Sequence, residues 1–149
     1  MEIFKNKKIL ITGHTGFKGS WLSIWLTHLG AKVVGVSNNI VGSPSNFLVS
    51  EISKVVDDYR FDIRDEGAIK SLIERVQPDF VFHLAAQALV RPSYENPLET
   101  MSINAIGSAN VLDALRGLDK KVVAVMITSD KAYDNVEWVW GYRETDRLG

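Results

Sequence analysis

The sequence of 149 residues lacks cysteine, lacks a marked excess of charge of either sign, and lacks any apolar run long enough to cross a bilayer. Without cysteine there is neither a disulfide framework nor a thiolate metal site, and nothing argues for an oxidising compartment. A net charge of −1 gives no electrostatic reason for nucleic acid or an anionic membrane as a partner. The charged start is followed by a short strand and then glycines rather than by a signal-peptide core, so we expect a cytoplasmic protein without a metal.

The length and the ordinary apolar and charged fractions, 46% and 23%, fit one globular domain with a real core. Short apolar runs alternate with helical patterns, which is typical of βαβ units in a parallel sheet. We therefore predict an α/β fold, a Rossmann-like doubly wound parallel sheet that is truncated after about five strands.

The clearest local signal is an apolar run over residues 8–12, followed by three glycines spaced three apart and then a helical pattern. This layout predicts a strand, a turn and a helix N-terminus that hold a dinucleotide pyrophosphate, although an ordinary strand-to-helix turn is the alternative. Gly13 would leave the strand with positive φ, Gly16 would admit the phosphates, and Gly19 would let the helix approach the sheet. Lys18 opposes the helix dipole, and a phosphate partner would explain its presence.

The helix predicted over residues 18–29 carries an apolar stripe at helical spacing, which we assign to the core. Its members are Trp21, Leu22, Trp25, Leu26 and Leu29. Gly30 is placed to end the helix. The tryptophans are therefore interpreted as packing residues rather than ligand contacts.

The second strand, residues 32–36, lacks the acidic residue that usually binds the ribose hydroxyls of NAD after such a strand. Ser37 or Asn38 could make those hydrogen bonds instead. No arginine lies in residues 33–54 to pair with a 2′-phosphate, so the sequence favours NAD over NADP.

Residues 39–54 lack periodicity, and we predict a loop at 42–46. A short strand leads to residues 61–65, where Asp65 is placed to cap a helix that Pro78 closes. The apolar residues of that helix are Ile69, Leu72, Ile73 and Val76.

The fourth strand, residues 80–84, contains His83, which we interpret as a hydrogen-bonded core histidine rather than a catalytic base. Ala85 and Ala86 are small where the chain would pass beside a flat cofactor, at the carboxyl end of the strand.

Asn96 and Pro97 predict a helix start, with the helix running to about residue 118. Its apolar positions include Met101, Ala105, Ala109, Leu112 and Leu115. Asn104 in mid-helix lowers helix propensity, so we expect it to have a tertiary partner.

The fifth strand, residues 122–127, is apolar on both faces and predicts a covered parallel strand. Polar residues 128–131 follow it at the carboxyl edge. They are either site residues or a turn in which Ser129 and Asp130 bond only the backbone.

Three segments, residues 12–22, 83–87 and 128–144, resemble the extended short-chain dehydrogenase/reductase family, and within its nucleotide-sugar branch the CDP-glucose 4,6-dehydratases. The glycine spacing of this sequence, Gly-x-x-Gly-x-x-Gly, departs from the commoner Gly-x-Gly-x-x-Gly and resembles the glycine motif of that family. The resemblance implies NAD as cofactor, CDP-glucose as substrate, and a lyase of deoxysugar and O-antigen synthesis. The reaction would oxidise C4, remove the C6 hydroxyl as water and reduce C6, with no net use of NAD.

The resemblance also implies roles for individual residues. Asp62 and the backbone of Ile63 would bind adenine, while Ser129 would bind the C4 oxygen, Asp130 would be the acid and Lys131 would stand near the C5 proton. Gln87 and Arg91 would face the sugar nucleotide, as would Ser93 and Tyr94, although Arg91 could equally be a solvated loop residue. The remaining implied cofactor contacts are Gly13, Thr15, Gly16, Phe17, Lys18, Gly19, Asn38, Leu84, Ala85, Ala86, Asn104 and Thr128.

The family's Tyr-x-x-x-Lys pair is not in the chain, because Tyr142 is followed four residues later by Asp146. We expect residues 1–149 to be the first portion of the NAD-binding domain, without the substrate domain and inactive alone. An open edge at the fifth strand suggests a homo-oligomer, or cover by Trp138, Trp140 and Tyr142. Another nucleotide-sugar epimerase or dehydratase and a non-catalytic NAD-binding module remain competing hypotheses.

Overall fold

A computed structural model describes residues 2–40 and 42–149, in which one parallel sheet has the strand order β3-β2-β1-β4-β5. The strand order reverses between β1 and β4, which is the place where open α/β sheets bind ligands. The predicted doubly wound fold is confirmed. The strands are β1 (Lys8–Thr12), β2 (Lys32–Val36), β3 (Asp57–Tyr59), β4 (Phe80–His83) and β5 (Val123–Met126).

Helices connect the strands on both faces of the sheet. They are α1 (Phe17–His28), α2 (Asn46–Val49), α3 (Glu66–Val76), α4 (Val90–Glu95), α5 (Pro97–Met101) and α6 (Ser108–Arg116). A π-helical segment, Ser102–Gly107, joins α5 to α6. None of the helices described is both long and apolar enough to cross a bilayer.

Alternate residues of β1 supply two separate cores, because successive side chains of a strand point to opposite faces. Ile9 and Ile11 pack with Leu26 of α1 and with Phe47 of α2. Leu10 packs on the other face with residues of α3 and α6. Both faces of the central strand are therefore covered.

The face that α1 buries agrees with the predicted stripe at Leu26 and, in part, at Leu22, but not at the tryptophans. Gly19, Ser20, Ser23 and Leu26 are buried, whereas Trp21 and Trp25 are 55% and 48% exposed. The assignment of the tryptophans to the core is therefore wrong, because the helix approaches the turn and sheet through its small side chains. The predicted helix end is confirmed, since Gly30 follows α1 with φ of +80°.

The segment after β2 contains more structure than predicted. Residues 42–45 are irregular, as expected, but α2 and a 3₁₀ turn at Ile52–Lys54 follow. Phe47 and Ile52 are buried beneath α1. The two buried residues of this segment, Phe47 and Ile52, are too few to show a helical periodicity in the sequence.

Helix α3 forms as predicted. The Asp65 carboxylate accepts a hydrogen bond of 2.9 Å from the Ala68 amide, and all four predicted apolar residues are buried. The helix ends at Gln77, which has φ of +51° and precedes Pro78.

The long helical region after β4 starts at Pro97, as predicted, but a separate helix, α4, precedes it. The Asn96 side chain makes no capping bond, and its carbonyl instead accepts from the Thr100 amide. The predicted apolar face is largely wrong, because four of its residues are exposed, namely Met101, Ala105, Ala109 and Leu112. The buried face consists of Gly107, Val111 and Ala114, and a Cβ at Gly107 would lie 2.6 Å from Cδ1 of Ile63.

Strand β5 lies at the sheet edge, with Val123 and Val125 exposed by 54% and 42%. The prediction that it is covered on both faces is wrong for the chain described. The segment after it closes on itself, with Tyr133 stacked on Tyr142 at 5.0 Å and paired with Leu148. This segment leaves the valines exposed, so it does not provide the predicted cover.

Candidate functional site

The strands end in register, with Thr12 opposite both Val36 and His83 and with His83 opposite Met126. Two cavities open at this carboxyl edge, and both are lined by residues 85–89. The glycine-turn cavity, about 550 Å³, lies on the β2 side. The β5 cavity, about 730 Å³, lies on the other side. Shared walls make them neighbouring parts of one surface.

The glycine turn has the shape that close approach of a ligand requires. Gly13 has φ of +77°, and a Cβ there would lie 2.8 Å from the Ala85 amide nitrogen. The Gly16 amide donates to the Gly13 carbonyl at 3.1 Å, and the Thr15 hydroxyl donates to the Asn39 carbonyl at 2.7 Å. The turn is thereby fixed between β4 and the end of β2, directly before the N-terminus of α1.

Asp62 lines the glycine-turn cavity, and Arg64 holds its carboxylate. The Arg64 amide and Nε donate to Oδ1 at 2.9 and 3.0 Å, and a terminal guanidinium nitrogen donates to Oδ2 at 2.7 Å. The hydrogen bonds from Arg64 keep the pKa of Asp62 below its usual value. Asn110 donates to the Ile63 and Arg64 carbonyls, both at 3.1 Å. The segment therefore presents an ionised, oriented carboxylate.

The β5 cavity contains the predicted catalytic residues. Ser129 Oγ donates to Asp130 Oδ1 at 3.1 Å, and Lys131 Nζ donates to the same oxygen at 3.4 Å. These contacts, with Ser129 contributing most, lower the pKa of the Asp130 carboxyl. Ser129 Oγ also accepts from the Lys131 amide at 3.2 Å, so the predicted alternative of a backbone-bonded turn also describes part of the geometry.

Asn104 has the tertiary partner that its mid-helix position predicts. Its Oδ1 accepts from the Gln87 amide at 2.8 Å, and its Nδ2 donates to the Gln87 carbonyl at 3.0 Å. Both residues line the β5 cavity. The π-helical segment is thus tied to the chain that leaves β4.

The structure divides the predicted site residues between the two cavities. Lys18, Asn104 and Thr128, predicted as cofactor contacts, line the β5 cavity, while Gly19 packs beneath the turn. Arg91 lines neither cavity and instead pairs with Glu95 at 2.9 Å, with its side chain 90% exposed. The glycine-turn cavity collects the others, namely Gly13, Thr15, Gly16, Phe17, Asn38, Asp62, Ile63, Leu84, Ala85 and Ala86.

Sequence reasoning missed the environment of His14, which lies inside the glycine turn and is fully buried. Its Nε2 lies 2.9 Å from Asp58 Oδ1, and its ring meets Phe47 edge-on at 5.3 Å. Burial lowers the pKa of His14 although Asp58 opposes the shift. A histidine directly after the first turn glycine was the available signal. In residues 2–40 and 42–149, no three His, Asp or Glu side chains form a group that could hold a metal.

A family model described as GDP-mannose 4,6 dehydratase matches residues 10–148. The chain belongs to this family. It is 45% identical to a CDP-glucose 4,6-dehydratase from Salmonella typhimurium over 99% of the chain and 41% of that relative.

Solved structures agree on the dehydratase-family fold. A UDP-glucose 4-epimerase from Thermotoga maritima, with UDP-glucose, has a TM-score of 0.80 and 30% identity over 95% of the chain and 44% of that protein. A UDP-glucose 4-epimerase from Stenotrophomonas maltophila, with bound NAD and formylated UDP-arabinopyranose, has a TM-score of 0.83 and 26% identity over 97% of the chain and 43% of that protein. The chain therefore spans less than half the length of these three relatives.

Proposed function

We propose that this chain is the NAD-binding part of a 4,6-dehydratase that converts CDP-glucose to CDP-4-keto-6-deoxyglucose for deoxysugar synthesis. The observation that carries the proposal is the shared wall of the two cavities, residues 85–89. A dinucleotide lying on the glycine turn would reach this wall, on whose other side lie Ser129–Lys131. The 45% identity to a CDP-glucose 4,6-dehydratase supports the choice of nucleotide and reaction.

The residues present fit a dinucleotide. The glycine turn offers backbone amides and the N-terminus of a twelve-residue helix to a pyrophosphate. Asp62, in the same cavity, offers an ionised acceptor that would suit an adenine amino group. Asn38 also lines this cavity and would bind the ribose hydroxyls in place of the missing acidic residue. When bound, NAD would supply a reversible hydride acceptor.

The side chains of the β5 cavity would handle protons and orient the sugar. Ser129 would donate a hydrogen bond to the C4 oxygen, and Lys131 would stand near the C5 proton. Asp130 would protonate the departing C6 hydroxyl. In the unliganded chain, hydrogen bonds from Ser129 and Lys131 to Asp130 lower the pKa of this carboxyl.

The chain alone is proposed to be inactive, because its Tyr142 lacks a lysine four residues later and because relatives are more than twice its length. The test incubates the chain with NAD and CDP-glucose and assays the 4-keto-6-deoxy product. We expect none from the chain and turnover from a protein extended to the length of its relatives. Product from the chain alone would refute the proposed inactivity.

An epimerase is the second candidate, favoured by the Thermotoga maritima epimerase that shares the fold at 30% identity. Product analysis of the extended protein separates the two. A dehydratase releases water and leaves a 6-deoxy sugar, whereas an epimerase returns a hexose of unchanged mass.

Self-association with a second copy is also proposed. An outer stripe on the helix of residues 97–116 is exposed, and its members are Leu98, Met101, Ala105, Ala109 and Leu112. The β5 edge adds exposed Val123 and Val125. Sedimentation at several concentrations tests this, and a monomer at every concentration would count against it.

A further inference from the structure

A chain of hydrogen bonds runs beneath both cavities through the buried ring of His83. Its Nδ1 lies 2.8 Å from the Thr12 hydroxyl, and its Nε2 lies 2.9 Å from the Ser108 hydroxyl. The ring is 3% exposed, and burial lowers its pKa, so it is neutral at pH 7. A neutral imidazole has one donor and one acceptor, so the partners decide which nitrogen carries the proton.

The partners fix the direction of the chain. The Ser108 hydroxyl donates its only proton to the Asn104 carbonyl at 2.6 Å, so it accepts a hydrogen bond from His83 Nε2. On the other side of the ring, Thr12 Oγ1 accepts from the Ala85 amide at 3.2 Å and shares the Leu84 amide, at 3.2 Å, with the Thr12 carbonyl, at 3.0 Å. With these two donors facing it, the Thr12 hydroxyl donates its own proton to His83 Nδ1.

We propose that His83, protonated on Nε2, is a positioning residue that links the end of β1 to the wall shared by the cavities. The link passes from Thr12 through the ring and Ser108 to Asn104, whose amide holds Gln87 by both backbone groups. The role inferred for Gln87 in ligand binding rests on the proposed function. The hydrogen-bond chain itself does not.

The first test is the tautomer, read from long-range ¹H–¹⁵N correlations of histidine in the unliganded 149-residue chain at pH 7. We expect His83 to show a protonated Nε2 and an unprotonated Nδ1, with His83→Gln used to assign its signals. A protonated Nδ1, or an imidazolium, would overturn the proposal.

The second test asks whether the chain positions Gln87, again without ligand. Ser108→Ala should shift the Gln87 amide resonance, whereas Ser108→Thr, which keeps a hydroxyl, should restore it. Ser71→Ala, on the exposed side of α3, is the matched control and should leave it unchanged. If Ser108→Ala does not fold, two variants of His83 are compared instead. The shorter His83→Asn keeps a side-chain amide only near Thr12, whereas the longer His83→Gln keeps one near Ser108. An unmoved Gln87 resonance in the folded variant would overturn the positioning role.

NAD titration then reports the consequence for the site. Ser108→Ala removes the hydrogen bonds to His83 and to Asn104, and we expect the displacement of Gln87 to weaken NAD binding about fivefold, the equivalent of one neutral hydrogen bond. If neither the parent chain nor any variant binds NAD, the proposed function is contradicted. The positioning role of His83 is then still tested by the tautomer and by the Gln87 resonance.

Discussion

Replacing Gly19 with alanine perturbs the contact that sets α1 against the glycine turn. A Cβ at this position would lie 2.1 Å from the Gly13 carbonyl oxygen and 2.7 Å from Cα of His14. Ordinary contact begins at 3.4 Å, so the helix or the turn must move by about 1.3 Å, the difference between 3.4 and 2.1 Å. Both neighbours are backbone atoms, and neither can rotate out of the way.

The magnitude follows from two opposing terms. Overpacking of a close-packed site costs about 1–3 kcal/mol, and the backbone contacts place this site at or above the upper value. Alanine in place of glycine within a helix contributes about 1 kcal/mol in the other direction. The expected net loss is about 2 kcal/mol, which corresponds to a urea midpoint lower by about 1 M for a slope of about 2 kcal/mol/M.

Urea unfolding followed by tryptophan fluorescence measures this loss, with Gly16→Ala as the matched control. A Cβ at Gly16 would meet only the Gly13 carbonyl oxygen, at 3.3 Å, and Gly16 has ordinary φ of −71°. This contact is only about 0.1 Å shorter than ordinary contact, so we expect the midpoint of Gly16→Ala to fall less than that of Gly19→Ala. Equal midpoints for Gly19→Ala and the parent would refute the close approach of helix and turn, as would equal losses in both variants.

Three further results are expected. Burial in the folded chain lowers the pKa values of His14 and His83 below the usual 6.5, so both side chains favour the folded state above pH 6.5. As the pH falls below 6.5, the free energy of unfolding should decrease by up to about 1.4 kcal/mol per pH unit for each histidine. Urea midpoints that stay constant between pH 8 and 5 would contradict this. Asp62→Asn should weaken NAD binding about tenfold or more, but should weaken binding of the hypoxanthine analogue of NAD less, because hypoxanthine lacks the amino group that would donate to Asp62. If calorimetric titrations show equal losses of affinity for the two dinucleotides, Asp62 does not recognise adenine. Met101→Glu, at a 62% exposed position, should leave stability unchanged and shift any dimer toward monomer in sedimentation at several concentrations. An unaltered fraction of dimer would exclude this stripe as its interface.

The succession of strands and helices along the chain and the glycine turn could be predicted because they depend on local signals. The apolar run of residues 8–12, the glycines after it and the Asp65 cap each act through the backbone of a few neighbours. The cavities follow, since parallel strands end at one edge of the sheet. Asn104 was also predictable in outline, because a mid-helix asparagine requires a partner.

The buried faces of α1 and of the 97–116 helix could not be predicted because both helices are apolar on more than one side. Periodicity selected the large side chains Trp21 and Met101, whereas α1 approaches the glycine turn through Gly19 and the 97–116 helix approaches Ile63 through Gly107. Close approach depends on the shape of distant neighbours such as Ile63, which hydropathy does not encode. The environment of His14 depends in the same way on Asp58, forty-four residues later.

Calorimetric titration of NAD into the 149-residue chain tests the central claim most directly when Gly16→Ala is measured beside it. A pyrophosphate on the glycine turn predicts one NAD bound per chain and an affinity lowered about tenfold or more by a methyl group at residue 16, in a variant that remains folded. No heat of binding with NAD in excess, or equal affinities for both proteins, would contradict it.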